Sequence, residues 1–204
     1  MLKFKIRKFF HSLISRRPAG TFVGRQRTHD VAFTFRMGAG FTGDVNRSHP
    51  ASIEPALCDP TNPPPAYGTA LLAVAGSQGV RGMLASDTAV TAIYGVGVRP
   101  YPQSPNTQTT FGSQSTQPFG TPPPTPNQPI DVLRSGYIMT KVSGSVAVAK
   151  GGAVFVWIAA SAGSHVQGGF EASTTAGSTI ALDSKTTWNG SADANGIAEL
   201  AFNL

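Results

Sequence analysis

The clearest alternation of apolar and polar positions closes the chain. Asn195-Gly196 is a tight-turn signal. After it, Ile197, Glu199, Ala201 and Asn203 fall on one face, and Ala198, Leu200, Phe202 and Leu204 on the other. This pattern predicts a strand with one buried face, which ties the C-terminal stretch into a sheet. Upstream, short apolar runs bounded by glycine predict strands over 67–74, 79–84, 89–98, 131–133, 136–142, 145–149, 153–159, 180–182 and 185–188. Short strands at this spacing predict an all-β fold, a single β-barrel or jelly-roll-like sandwich.

Between these runs the pattern breaks. Residues 41–65 carry Pro50, Pro55, Pro60 and the run Pro63-Pro64-Pro65, and read as an extended, irregular path laid over a sheet. Residues 100–130 hold nine of the sixteen prolines and no charged side chain, which predicts a long loop of polyproline character. The flanking parts have too few strands to form separate cores, so residues 37–204 read as one β domain with this loop as an excursion. Residues 2–17 place Leu2, Ile6, Phe9, Phe10 and Leu13 at helical spacing, and Pro18 and Gly20 end the run. Val31–Arg36 alternates like a strand.

Composition supports the β reading. Only 13% of the 204 residues are charged, against a usual proportion of about 25%. The formal charge of +6 is unevenly placed. Residues 1–36 carry nine basic side chains and one acid, a net +8, whereas residues 37–204 carry seven basic and nine acidic, a net −2. The basicity belongs to an N-terminal arm, and the body offers no basic patch that would favour nucleic acid. No apolar run approaches the length of about 20 residues that spans a bilayer. A lone cysteine, Cys58, rules out an intrachain disulfide and suits assembly in a reducing cytoplasm.

Residue types that carry chemistry do not converge. His11, His29, His49 and His165 lack zinc-motif spacing, and Asp44, Glu54 and Asp59 lack a calcium-loop pattern. Cys58 with His49 would be the parts of a nucleophile and its base. The simpler reading makes Cys58 a small, half-buried residue and His49 part of a turn before Pro50. Glycines 95, 97, 151 and 152 lack the lysine and following helix of a phosphate loop, and read as bulges or close approaches. Arg47 and Glu54 read as a structural ion pair that, with Tyr67, holds the extended segment on the body. The expectation is a protein with no enzymatic activity, metal or cofactor.

Several segments, in order, resemble the structural cement proteins that decorate tailed-bacteriophage capsids. They are Phe41-Thr-Gly-Asp-Val-Asn-Arg47, Ser52-Ile-Glu-Pro55, Ala66-Tyr-Gly68, Ile93-Tyr-Gly95, Arg99-Pro-Tyr-Pro102, Asp131-Val-Leu-Arg-Ser-Gly-Tyr137, Lys150-Gly-Gly-Ala-Val154, Ala192-Asp-Ala-Asn-Gly196 and Ala201-Phe-Asn203. The resemblance covers about residues 40–204 and leaves out the arm over 1–36. It implies a virion protein bound outside the capsid at capsomer junctions. Its partners would be the major capsid protein and further copies of itself.

Candidate capsid contacts are Lys3, Lys5, Arg7, Lys8, Arg16 and Arg17 in the arm, and Tyr101, Phe111 and Phe119 in the proline-rich loop. The arm can also be read as a nucleic-acid contact, as a membrane-surface helix, or as sequence upstream of a true start at Met37. Rival readings of the whole are a tail, fibre or host-surface module that uses the loop aromatics, and an internal nucleic-acid-binding protein that uses the arm.

Overall fold

In a computed structural model of the chain, residues 40–47, 50–100, 123–144 and 146–203 are described. The helix expected over 2–17, the strand over 31–36, His49, and the contact candidates Lys3, Lys5, Arg7, Lys8, Arg16, Arg17, Tyr101, Phe111 and Phe119 lie outside these residues.

The described chain is all-β: β1 Ser52–Cys58, β2 Ala70–Ala73, β3 Gly79–Gly82, β4 Ile93–Val98, β5 Pro129–Lys141, β6 Phe155–Trp157, β7 Phe170–Glu171, β8 Thr179–Ala181, β9 Thr187–Trp188 and β10 Ile197–Asn203. The larger sheet runs β1-β3-β2-β4-β5-β10-β9, and β1 also pairs with β5. That extra pairing closes β1, β3, β2, β4 and β5 into a five-stranded barrel, which leaves β10 and β9 as an extension of its wall. A second sheet, β7-β6-β8, is joined to the first by a Val142–Phe170 bridge.

Alternation sorts side chains into two cores. On β2, Leu71 points into the lumen, while Ala70 and Leu72 point outward. The lumen holds Cys58, Tyr67, Leu71, Val80, Ile130 and Val132. Outside the barrel, Leu72, Ile93, Val96, Leu133 and Ile138 pack with Val156 and Phe170 of the second sheet and with Trp188, Leu200 and Phe202. Each Leu, Ile or Phe fully removed from water contributes about 1.5–3 kcal/mol. The closing strand behaves as its pattern predicts: Ala198, Leu200 and Phe202 are buried, and the turn before it has Gly196 at φ 74°.

β5 is one strand of 13 residues where the pattern suggests two. Its first part pairs with β1 on one side and β4 on the other; from Ser135 onward it pairs with β10. The change of partner falls at Gly136, whose φ of 135° lies in a region that L side chains rarely adopt. A Cβ at Gly136 would also lie 2.9 Å from the Pro50 carbonyl oxygen.

Other expectations are corrected. Residues 52–58 form a strand although Pro55 sits within it, because Pro55 lies on an edge where no donor is needed. Residues 90–92 form a single 3-10 turn ahead of β4 instead of extending it. Residues 146–149 are irregular, and the two-residue β7 had no pattern to announce it.

Barrel closure brings β4 so close to β5 that Gly95 has no room for a side chain. A Cβ there would meet Val132 Cγ1, and would lie 2.6 Å from the Leu133 carbonyl oxygen. Gly95→Ala should therefore destabilise the protein by about 3 kcal/mol, read as a drop in thermal unfolding midpoint. An unchanged midpoint would show that the strands have space to separate.

Candidate functional site

Residues 40–47 form a strap laid across the barrel wall. The Gly43 N–H donates to the Met139 carbonyl (2.7 Å), the Met139 N–H to the Asp44 carbonyl (2.8 Å), and the Arg99 N–H to the Gly43 carbonyl (2.9 Å). Gly43 has φ 89°, and a Cβ on it would lie 2.7 Å from Cβ of Tyr67. Tyr67 is buried directly beneath the strap.

Two arginines clamp the strap. Arg99 donates from Nε to Asp44 Oδ1 at 2.8 Å and covers the Phe41 ring at 4.7 Å. Arg47 grips Glu199 through two parallel bonds, Nε to Oε1 at 2.9 Å and Nη2 to Oε2 at 2.7 Å, and lies 4.3 Å above the Tyr137 ring. Asn189 Nδ2 also donates to Glu199 Oε2. Burial pushes the Glu199 carboxyl up, but the bonds from Asn189, Arg47 and Asn46 outweigh it and hold the group below its ordinary value.

The expected Arg47–Glu54 pair is not formed. β1 sets Glu54 opposite Val132 of β5, where it accepts from the Tyr94 hydroxyl at 2.7 Å and lies 3.8 Å from Arg134. The Arg134 guanidinium covers the Tyr94 ring at 3.8 Å. The Glu54 bond, with some burial, raises the Tyr94 phenol above its ordinary range. A fourth arginine, Arg81, makes two bonds to Asp87 (2.7 and 2.8 Å). That bonding, together with a bond from the Leu84 N–H and against burial, lowers the Asp87 carboxyl.

Sequence reasoning also missed a latch on the second sheet. Glu171 is buried and bonded to His165 Nδ1 at 2.6 Å, and the imidazole stacks on Trp157 with ring centres 4.1 Å apart. Nothing in a His and a Glu six positions apart announces that a reversal of the chain will bring them together.

None of this is catalytic machinery in form. Burial, with a smaller push from Asp59, raises the Cys58 thiol, the opposite of what activates a nucleophile. The thiol lies in the barrel lumen and is fully rather than half buried. Among the described residues no group of three or more His, Cys, Asp or Glu side chains is placed to hold a metal ion, and no helix is long and apolar enough to cross a membrane. The arrangement fastens segments to a barrel.

The strap has a pH signature. A carboxylate lowered in the folded state contributes stability that is present above its ordinary value and lost as pH falls through the folded value. Glu199→Gln should lower stability by about 1–2 kcal/mol at pH 7. The gap between variant and wild type should close as pH falls below about 4, which urea unfolding across pH would measure. A gap that persists at low pH would remove the carboxylate from the account.

Comparison with known proteins places this architecture. No curated protein matches the chain significantly. A chain from a solved structure, "The capsid of Myoviridae Phage XM1", superposes with a TM-score of 0.60 at 16% identity, covering 83% of this chain and 93% of that one. At that identity the likeness concerns the fold. The family model for the XM1 gp53 minor capsid protein matches residues 31–202, and so takes in the strap, every strand of the barrel and the last part of the basic arm. The chain therefore belongs to the XM1 gp53 minor capsid protein family and is a phage capsid protein.

Proposed function

We propose that this protein is a non-enzymatic cement: it binds the outside of the assembled capsid and clamps neighbouring capsomers. As a member of its family it is a structural component located in the virion capsid. The observation that carries the cement reading is how its charges are used. All four arginines of residues 37–204 (Arg47, Arg81, Arg99 and Arg134) are engaged by carboxylates of the same chain. A body so neutralised suits attachment by shape and many small contacts. It suits electrostatic capture of nucleic acid poorly, since phosphate binding draws on free cations.

Cementing follows from linkage: a protein that binds the assembled shell and not its free subunits stabilises the shell, and small contacts sum over many copies. In this reading the partners are the major capsid protein and other copies of this chain. The contacts are drawn from the arm (Lys3, Lys5, Arg7, Lys8, Arg16, Arg17) and from the proline-rich loop (Tyr101, Phe111, Phe119). The fastening role belongs to Arg47 and Tyr67 at the strap, and to Glu54 on the Tyr94–Arg134 side.

The C-terminal end of that loop has a separate, structural task. The Asn127 N–H donates to the Cys58 carbonyl, the Cys58 N–H donates to the Gln128 carbonyl (both 2.9 Å), and Pro129 begins β5. A deletion that tests capsid contact must therefore stop short of these residues.

Replacing residues 103–121 by a short Gly-Ser linker should weaken binding to heads that lack this protein by about tenfold or more while leaving the unfolding midpoint unchanged. Peptide mass spectrometry of purified virions should find this chain in a simple ratio to the major capsid protein, at hundreds of copies. A handful of copies per particle, or unimpaired binding by the deletion variant, would contradict the proposal.

A further inference from the structure

The barrel wall is only partly closed between β1 and the β2–β3 hairpin. β1 and β3 pair only through Leu57–Gly79 and Cys58–Val80, whereas β1 continues along β5 as far as Ser52. The hydrogen bonds at the closed end fix the direction of the remaining groups. The Cys58 N–H donates towards β5, to Gln128, and the Leu57 N–H donates towards the hairpin, to Gln78. Backbone groups alternate sides along a strand, so Ile53 and Pro55 face the open seam. Proline has no N–H. What remains there is the Ile53 N–H and the carbonyls of Ile53 and Pro55, which the β1–β3 ladder does not reach.

A pocket of about 300 Å³ fills the gap, lined in part by Ala56, Ala73, Ser77, Gln78, Val80 and Tyr94. It is the mouth of the lumen: Val80 belongs to the lumen cluster, and Ala56 and Tyr94 pack against it. The lining carries no charged side chain. The charged groups beside Tyr94, Glu54 and Arg134, are engaged with Tyr94 and with each other. Alongside the seam, Ile53 and Leu57 are exposed at 44% and 46%.

We infer that this seam is a strand-addition slot, occupied in the virion by an extended, uncharged segment of a neighbouring major capsid protein subunit. A row of backbone donors and acceptors is matched by another backbone, and a pocket beside it takes a side chain of the added strand. The neutral lining favours an uncharged occupant, because a charged side chain entering it would lose its water without gaining a counter-ion. The donor count argues against a second copy of β1. Each β1 offers two carbonyls and one N–H at the seam, so two copies bring four acceptors to two donors. A different strand supplies what is missing. This inference rests on the capsid-binding reading above and names the surface through which part of that binding occurs.

The test uses the full chain and assembled heads that lack it. Ala73→Trp fills the pocket from an exposed position, and should bind heads about tenfold or more weakly with an unchanged unfolding midpoint. Independently, a benzophenone amino acid in place of Gln78 should, on irradiation of decorated heads, cross-link to one segment of the major capsid protein. Unimpaired binding by a folded Ala73→Trp variant, or cross-linking from position 78 to another copy of this chain, would overturn the slot while leaving capsid binding intact. Failure of the wild-type protein to bind heads would overturn both readings.

Discussion

Everything in this structure depends on β5 serving two sheets in succession. Over its first part it closes the barrel, pairing with β1 on one side and β4 on the other, and without it the ring is an open sheet. Beyond Gly136 it turns to β10, and through β10 to β9. A single residue at a backbone angle open to glycine thus marks where the strand leaves the barrel for the extension of its wall. The strap depends on the same strand, because its hydrogen bonds to Met139 fall just past that bend.

What the residues revealed in advance was whatever local pattern determines. The final strand was legible because its period-two alternation is unbroken and its turn is an Asn-Gly pair. The long β5 was read as two pieces because Gly136 carries the same signature whether a strand ends or merely changes partner. Pro55 misled in a related way. Proline excludes a central strand but not an edge, and which edge is open is a property of the closed barrel. Arg47 was read as pairing with Glu54, but the carboxylate it binds lies 152 positions away. Glu54, the nearer carboxylate, was carried elsewhere by the strand it sits in. The latch of His165 on Glu171 left no trace in sequence because neither residue is unusual until the chain folds.

The same features describe what kind of surface remains. Besides Arg47, which is exposed but bonded to Glu199, the exposed cations of the described body are Lys141 on β5 and Lys150 and Lys185 in turns. The exposed large apolar side chains are Phe41 on the strap, Ile53 and Leu57 on β1, and Val146 in an irregular stretch. A rigid, nearly neutral barrel with pinned segments loses little conformational freedom on docking. That suits a part added in many copies to a shell that already exists, where each contact is small and the sum is large.

The most direct measurement is a reconstruction of the virion by electron cryomicroscopy at a resolution that traces backbone. The account predicts the five-stranded barrel on the outer surface of the shell, repeated with its symmetry and touching subunits of more than one capsomer. A barrel found on the inner surface, confined to a single vertex, or resting on one capsomer alone would contradict it.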